Sequence, residues 1–297
     1  MFSFSEFRKA TLMGISMAYL KYLSAKGYLN RNTKLLDIGT SNLYNVTNSD
    51  VIAFTSTYGR AVPEAKANDL AIKSRLRPGK EMLFLSELID LTDISYTSYD
   101  VCRGAKTEVF DLNRQEISDA AKASFDIVLN FGTSEHVINQ LNTFRVIHDA
   151  LKVGGIAFHQ LPSTGWANHG YFCYHPRLFN DLRIANNYEE KDIWYTLATQ
   201  SPIEPIDFRD EEKPLEPGSG SLHGLPSILP SCNLHVIHQK VSDLPFRVSL
   251  ELSTSHSCVA KEIRAIHVGD PVVLQSRAVN LLASVARRAV TRMIGTR

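Results

Sequence analysis

The segment at residues 124–162 constrains the fold of this chain of 297 residues more than any other part. Residues 125–129 form an apolar run that is rich in strand-forming residues and too short for a helix. After a polar break at 130–135, apolar residues recur every three or four positions, which is typical of one face of an amphipathic helix. These residues are Val137, Leu141, Phe144, Ile147 and Leu151. The glycines at 154–155 would close the helix and residues 156–161 predict a second strand, so the segment predicts a β-α-β unit with a ligand-binding edge after its first strand.

Short polar segments also follow the other predicted strands. The four segments are residues 37–42, Asp100, residues 111–113 and residues 130–135. In a doubly wound parallel sheet the carboxyl ends of the strands lie along one edge, and ligands bind in the crevice at that edge. A carboxylate after the second strand suits the two hydroxyls of a ribose, and an aspartate after the third can accept a hydrogen bond from the exocyclic amine of adenine. These strand ends therefore predict a pocket for a nucleoside.

The turn after the first of these strands is poorly suited to phosphate. The chain lacks a Gly-x-x-x-x-Gly-Lys-Ser/Thr loop, and Gly39 is the single glycine in a turn where a dinucleotide fingerprint would have three. Thr40, Ser41 and Asn42 carry side chains where several backbone N–H groups would have to approach a pyrophosphate. An NAD-dependent enzyme conflicts with this glycine count. The crevice instead favours an adenosine ligand without a pyrophosphate, which points to S-adenosylmethionine.

The order and wording of these segments resemble a class I S-adenosylmethionine-dependent methyltransferase. The resemblance covers about residues 34–185 and extends more loosely to 252. The matching motifs are Leu-Leu-Asp-Ile-Gly ending at Gly39, Asp100, Asp-Leu-Asn at 111–113, Phe-Asp-Ile-Val at 125–128, Glu-His-Val at 135–137 and Leu-Lys-Val-Gly-Gly at 151–155. The best fit is a branch with the Asp-Leu-Asn motif, a Gly-Thr-x-Glu-His-Val block and a downstream His-Gly-aromatic element, here residues 169–171. The resemblance implies a Rossmann-like α/β fold, with a doubly wound, mostly parallel seven-stranded sheet, helices on both faces and an antiparallel last strand.

The resemblance also implies a set of site residues. Its motifs assign cofactor binding to Asp37, Gly39, Thr40, Asp100, Asp111, Leu112, Asn130 and Gly132. Asp100 and Asp111 have the alternative of capping their own turns. His136, beside the cofactor edge, and His169, on the loop after the fifth strand, are candidate bases because a histidine of near-neutral pKa suits proton abstraction. His136 could equally pack and shape the pocket, and His159 is expected to be a core residue.

Two functions from different classes fit these features. The first is a methyltransferase that uses S-adenosylmethionine and moves its methyl group to an oxygen or nitrogen of a small-molecule or glycan-like acceptor. The alternative is a catalytically inactive binding or scaffold member, because Ser41 and Leu43 stand where the family has its second and third glycines. No metal is predicted, because the ten histidines show no His-x-x-x-His pair and no carboxylate pairing with ligand spacing.

Composition and sequence pattern also predict the partners, the cellular location and the domain boundaries of the protein. The formal net charge of +1 predicts no nucleic-acid partner, and four scattered cysteines without a visible signal peptide predict a cytoplasmic protein. We expect a methyltransferase domain over 1–270, with an exposed proline-rich loop at 201–231. An insertion at 44–80 is expected to be irregular, because Gly59, Pro63, Pro78 and Gly79 interrupt regular structure there. Residues 271–297 predict a basic amphipathic helix that contacts an anionic membrane surface or a partner, or else packs on its own domain.

Overall fold

The computed structural model describes residues 14–76, 82–166, 169–197, 206–207 and 231–250. Ten strands lie in this part of the chain: β1 Ile15–Ser16, β2 Lys34–Ile38, β3 Leu43–Tyr44, β4 Ser95–Asp100, β5 Thr107–Val109, β6 Phe125–Phe131, β7 Leu151–Thr164, β8 Tyr188–Leu197, β9 Ile206–Asp207 and β10 Cys232–Lys240. The helices of the same residues are α1 Met17–Ala25, α2 Asn48–Tyr58, α3 Glu64–Lys73, α4 Leu85–Ile89, α5 Gln140–Ala150 and α6 Pro176–Asn186, with a 3-10 turn at Ser134–His136.

Eight of the strands form one sheet in the order β5-β4-β2-β6-β7-β10-β8-β9. The first five in this order are parallel, whereas β10 runs antiparallel to both β7 and β8. The chain therefore runs outward from β2 to β5 and then crosses back to β6 on the other side of β2. This reversal leaves a crevice at the carboxyl ends of β2 and β6, where doubly wound sheets bind their ligands. The predicted fold is confirmed, and the two-residue edge strand β9 is an addition to the seven expected strands.

Both faces of the central strands are buried. Leu35 of β2 packs in one apolar cluster with Leu129 and Phe158, and its neighbour Leu36 packs in a second cluster with Val128. Successive side chains of a strand point to opposite faces, so an uninterrupted apolar run suits a strand that is covered on both sides. Helices α1 to α4 contribute to the first cluster, and α5 and α6 contribute to the second.

The predicted helix after β6 is shorter than its sequence pattern suggests. The chain passes directly from α5 into β7 at Leu151, so the two glycines lie inside the strand and do not close the helix. A β-carbon on Gly155 would stand 3.0 Å from the carbonyl oxygen of Asp126 and 3.1 Å from that of Phe125. This glycine therefore permits β7 to approach β6 closely, at the point where their register shifts. Leu141, which the spacing assigns to the apolar face, is 42% exposed.

The prediction of an irregular insertion at 44–80 is wrong for the described part of that segment, because it contains α2 and α3. The side chain of Thr47 caps α2 by accepting a hydrogen bond from the backbone N–H of Asp50. The carboxylate of Asp50 in turn accepts from the backbone N–H of Thr47. Gly59 and Pro63, the breakers that suggested irregular structure, lie at the ends of the two helices. These helices form the crossover connection between the parallel strands β2 and β4.

The rest of the predicted domain layout is only partly covered by the structure. Most of the predicted proline-rich loop at 201–231, and all of the predicted tail at 271–297, lie outside the described residues. The domain boundary at residue 270 therefore stays a prediction. Within the described part of the chain, no helix combines the length and the apolar character needed to cross a membrane.

Candidate functional site

Asp37 anchors the turn that follows β2. Its carboxylate is completely buried and accepts hydrogen bonds from the backbone N–H of Ser41 at 3.0 Å, the hydroxyl of Ser41 at 3.0 Å and the hydroxyl of Tyr96 at 2.8 Å. Burial raises the pKa of Asp37 to about 7. The sequence predicted a direct cofactor contact for this residue, but its carboxylate is engaged inside the protein. Asp37 therefore shapes the turn that borders the crevice.

The two positions that lack glycine in this turn are accommodated in the interior. Ser41 turns its hydroxyl inward to Asp37, and Leu43 is completely buried in the apolar cluster on one face of the sheet. Leu43 also belongs to β3, which pairs with β1. Both side chains are therefore directed into the interior and away from solvent.

Gly39 brings the ends of β2 and β6 into close approach. Its φ of +91° lies in the region that favours glycine, and a β-carbon there would overlap Oγ1 of Thr133, just after β6. The N–H of Gly39 donates to the carbonyl oxygen of Tyr99 at 2.7 Å. The backbone at Gly39 is therefore fixed between its two neighbouring strands at the crevice.

Asp100, at the end of β4, holds the same turn from the other side. One carboxylate oxygen accepts from the backbone N–H of Thr40 at 2.9 Å, and the other accepts from the backbone N–H of Cys102 at 2.8 Å. The hydroxyl of Thr40 lies 3.5 Å from that of Ser98 and 3.4 Å from that of Thr107. Each carboxylate oxygen keeps a second lone pair. Asp100 thus caps its turn and can still accept a hydrogen bond from a ribose hydroxyl.

Asp111 and Leu112, which follow β5 and are predicted to bind the cofactor, make contacts within the protein. Asp111 accepts the backbone N–H of Asn113 at 2.9 Å, which makes an Asx-turn, and Arg114 lies 3.8 Å from the same side chain. The side chain of Leu112 is buried in the core, and its carbonyl oxygen accepts from the amide of Asn142 at 2.9 Å. Asp111 therefore caps its own turn, and the side chain of Leu112 packs in the core.

Asn130 presents a buried polar group at the carboxyl end of β6. Its amide nitrogen lies 3.0 Å from the hydroxyl of Ser134 and 3.1 Å from Nδ1 of His159. Its side-chain oxygen, Oδ1, has no hydrogen-bond partner among the described residues. Burial lowers the pKa of His159 to about 3, so this histidine is a neutral core residue, as expected. Gly132 follows, and its N–H donates to the carbonyl oxygen of Gln160 at 3.1 Å.

Glu135, His136 and His169 come together beyond the end of β6, and we call them the Glu-His-His cluster. Oε1 of Glu135 lies 3.4 Å from Nε2 of His169 and 3.8 Å from Nε2 of His136. The two imidazole rings meet edge to face, with their centroids 5.1 Å apart. Glu135 is completely buried, whereas the side chain of His136 is 48% exposed. The structure thus brings the two candidate bases together and adds Glu135, which belongs to the Glu-His-Val motif but is not among the predicted site residues.

The loop that carries His169 docks on the turn that carries Glu135. The backbone N–H of Tyr171 donates to the carbonyl oxygen of Glu135 at 2.8 Å. A β-carbon on Gly170 would stand 2.9 Å from both Cγ and the carbonyl oxygen of Glu135, so this approach requires glycine. The indole ring of Trp166 packs on the other side of His169, at 4.8 Å between centroids. The His-Gly-aromatic element is the sequence signal for this contact.

The fold and these residues define a doubly wound α/β protein with a ligand crevice at the switch point and titratable side chains beside it. Residues 6–199, about two thirds of the chain, match the family described as "Methyltransferase domain". The chain belongs to this methyltransferase family, whose members use S-adenosylmethionine as cofactor. No curated protein sequence matches the chain.

Several solved structures are similar to this chain at low sequence identity. The 1,6-didemethyltoxoflavin-N1-methyltransferase of Burkholderia thailandensis, crystallised with 1,6-didemethyltoxoflavin and S-adenosylhomocysteine, is 11% identical, with 80% of this chain and 82% of that chain covered and a TM-score of 0.39. A SAM-dependent methyltransferase from Archaeoglobus fulgidus is 13% identical, with coverages of 75% and 92% and a TM-score of 0.39. A putative methyltransferase from Bacillus halodurans is 10% identical, with coverages of 76% and 99% and a TM-score of 0.39. Similarity at this level says nothing about the acceptor.

Proposed function

We propose that this protein transfers the methyl group of S-adenosylmethionine to an oxygen or nitrogen atom of a small-molecule or glycan-like acceptor. Family membership supports the methyl transfer itself. The observation that carries the catalytic part is the convergence of His136 and His169 on the buried Glu135, just beyond the edge of the crevice at 130–132. The bound sulfonium supplies an electrophilic methyl group, so the protein contributes chiefly by positioning the acceptor atom in line with it.

The residues around the crevice fit an adenosine-type cofactor. Gly39 permits the close approach of the chain ends after β2 and β6 that borders the crevice, and Asp100 retains lone pairs for ribose hydroxyls. The side-chain oxygen Oδ1 of Asn130 is a buried acceptor that no described residue uses. These acceptors suit the hydroxyl and amine donors of a nucleoside. We infer that Thr40 and Gly132 contribute through their turns, and that Asp37, Asp111 and Leu112 act by shaping the pocket.

His136 and His169 are proposed to take the proton that a hydroxyl or amine acceptor releases. A base is needed only where the acceptor atom carries a proton that must leave, and imidazole is the side chain best suited to this near neutral pH. The carboxylate of Glu135, 3.4 and 3.8 Å from the two rings, would balance the charge of a ring that has accepted a proton. The side chain of His136 is half-exposed and that of Glu135 is completely buried, so His136 is the more accessible of the two to an acceptor.

Isothermal titration calorimetry with S-adenosylmethionine and S-adenosylhomocysteine tests the cofactor. We expect both to bind, and no heat from either at millimolar concentration would contradict the proposal. A second experiment measures transfer of the labelled methyl group from S-adenosylmethionine to fractionated small-molecule and glycan extracts. His136→Gln and His169→Gln should lower that transfer at least tenfold with cofactor affinity unchanged. His175→Gln is the matched control, because His175 is an exposed histidine on the same connection as His169, directly before α6.

The inactive binding or scaffold member remains the second candidate. The inward orientation of Ser41 and Leu43 argues against it, because neither side chain covers the open side of the first turn. We further propose that the protein works in the cytoplasm and that residues 271–297 contact an anionic membrane surface or a partner. Deletion of 271–297 should therefore leave the affinity for S-adenosylmethionine unchanged. If the shortened chain fails to fold, the tail is part of the core and the membrane contact is refuted.

A further inference from the structure

The Glu-His-His cluster contains buried polar atoms that lack hydrogen-bond partners. Neither carboxylate oxygen of Glu135 has such a partner in the described part of the chain, and the same holds for Nε2 of His169. Glu135 is completely buried. Burial of a carboxylate without compensation costs several kcal/mol, so natural proteins almost always pair such a group or bind a metal to it. The nearby imidazoles contact Glu135 at 3.4 and 3.8 Å without forming that hydrogen bond.

The spacing of these atoms matches a coordination shell. One ligand atom from each of Glu135, His136 and His169 lies within 4.8 Å of the other two. Two ligands that are each about 2.1 Å from one ion stand roughly 3.0–3.5 Å apart at octahedral or tetrahedral angles. The separations of 3.4 and 3.8 Å from the carboxylate oxygen to the two Nε2 atoms are close to that range. The half-exposed His136, whose Nε2 atom is the farther of the two from Oε1 of Glu135, is the ligand that would move inward on binding.

The turn next to Glu135 and the loop that carries His169 are also held in place from outside the cluster. The hydroxyl of Tyr174 lies 3.1 Å from that of Ser134 and donates to the side chain of Gln140 at 2.8 Å, and Gln140 donates back to the carbonyl oxygen of Ser134 at 2.7 Å. The close approach of Gly170 to Glu135 fixes the loop that carries His169. Such support from the surroundings is what keeps metal ligands in position.

We propose that the Glu-His-His cluster binds one divalent transition-metal ion through the carboxylate of Glu135 and the Nε2 atoms of His136 and His169. Two imidazoles and one carboxylate form a donor set that suits Zn²⁺, Fe²⁺ and Co²⁺, whereas Mg²⁺ and Ca²⁺ prefer oxygen ligands. Three protein ligands leave at least one coordination position open for water or another ligand. The absence of regular spacing in the sequence does not oppose this site, because the third ligand comes from a separate loop. The proposal does not depend on methyl transfer. While the ion is bound, the Nε2 atoms of both histidines are engaged by the metal, so ion binding and proton abstraction are alternative uses of this cluster.

Titration of the full, metal-free chain with Co²⁺ tests the site, because Co²⁺ in a protein site with few ligands has visible absorption bands that are stronger than those of hydrated Co²⁺ and shifted from them. We expect one ion per chain to produce these bands, Zn²⁺ to displace it, and Mg²⁺ at the same concentration to leave it bound. Glu135→Gln and His169→Gln should each weaken Co²⁺ binding at least tenfold. His136→Gln should do the same, and this half-exposed position is the one least able to disturb folding. His175→Gln should leave binding unchanged.

Two results would overturn the metal site. One is a wild-type protein that shows no Co²⁺ bands at millimolar metal. The other is a folded His136→Gln variant that binds Co²⁺ as tightly as the wild type, with the fold checked by its thermal unfolding. Calorimetry with S-adenosylmethionine in the presence of a chelator is run in parallel. It reports on the cofactor separately, so a failed metal site and a failed methyltransferase assignment can be told apart.

Discussion

Thr133 packs so closely against Gly39 that its hydroxyl oxygen occupies the place of a β-carbon on residue 39. Gly39→Ala must therefore separate the ends of β2 and β6, and it also forces a β-carbon into a backbone with φ of +91°. We expect this change to lower the free energy of unfolding by about 3 kcal/mol. It should also weaken S-adenosylmethionine binding at least tenfold. Urea denaturation and calorimetry measure the two effects.

Gly154→Ala is the matched control for that substitution. Gly154 has a φ of +90°, but nothing lies within 4 Å of a β-carbon built there. It should therefore cost only the backbone strain, about 1–2 kcal/mol, and leave cofactor affinity unchanged. Adding Thr133→Ala to Gly39→Ala removes the overlapping oxygen and should recover part of the lost stability. Equal losses for the two single glycine variants would show that the contact with Thr133 is unimportant.

Asp100 is expected to serve both the first turn and the cofactor. Asp100→Ala leaves the N–H groups of Thr40 and Cys102 without their acceptor and removes the carboxylate from the crevice. We expect S-adenosylmethionine binding to weaken at least tenfold while the protein still folds, as judged by calorimetry and circular dichroism. Asp100→Asn keeps one acceptor oxygen and should fall between the alanine variant and the wild type. An unchanged dissociation constant for Asp100→Ala would refute the ribose contact.

Asp37 should make the stability of the protein depend on pH. Burial raises its pKa from 3.8, the value of an unperturbed aspartate, to about 7 in the folded protein. A raised pKa means that the folded state holds the proton longer, so its stabilising share is complete below about pH 4 and is lost as the pH rises through 7. The amide of Asp37→Asn does not ionise, so the variant does not lose stability in this way as the pH rises. The stability of the variant relative to the wild type should therefore increase between pH 4 and 8 by a few kcal/mol, on the order of 1.4 kcal/mol per unit of pKa shift.

Urea denaturation of both proteins at several pH values measures this difference. The comparison between the two chains cancels the titration of every other group. A constant difference from pH 4 to 8 would mean that Asp37 is ionised in the folded protein throughout. The bonds from Ser41 and Tyr96 would then outweigh the burial of the carboxylate.

Buried histidines should make the protein less stable as the pH falls, which is the opposite of the effect of Asp37. His235 stacks on Trp194 with ring centroids 4.8 Å apart, and burial lowers its pKa from 6.5 to about 3. The unfolded chain therefore takes up a proton that the folded chain refuses, so stability is complete above pH 6.5 and falls as the pH drops towards 3. Each such histidine contributes a slope of about 1.4 kcal/mol per pH unit. His235→Phe keeps the stacking, and its stability should decline less steeply between pH 6 and 4 in urea denaturation.

A variant with the same slope as the wild type in that range would show that His235 accepts a proton within the fold.

The strands and their polar ends could be predicted because each is a local pattern. The apolar run before Asn130 and the acidic residue that closes β4 need no distant partner to be recognised. The helices of residues 44–80 were missed because Gly59 and Pro63 read as breakers inside a loop, although they end one helix and begin the next. The missing glycines at Ser41 and Leu43 were likewise ambiguous. Only the packing shows that both side chains turn inward.

The Glu-His-His cluster depends on contacts that no local pattern contains. Glu135 follows β6 within a recognisable motif, but its burial results from the docking of a loop more than thirty residues further along the chain. The glycine at position 170 permits that docking, and its role becomes visible only when its neighbour across the contact is known. The sequence therefore pointed to the two histidines individually and not to the carboxylate that joins them.

The position of β10 in the sheet sets a condition on how the protein is made. This strand lies between β7 and β8, so both of its edges are paired, although it is the last described strand along the chain. The chain must therefore be synthesised as far as Lys240 and leave the ribosome before β10 can pair with its two neighbours. Until then β7 and β8 each present a long unpaired edge. Fragments that end near residue 199, where the family match ends, would carry the same exposed edges and should aggregate during expression.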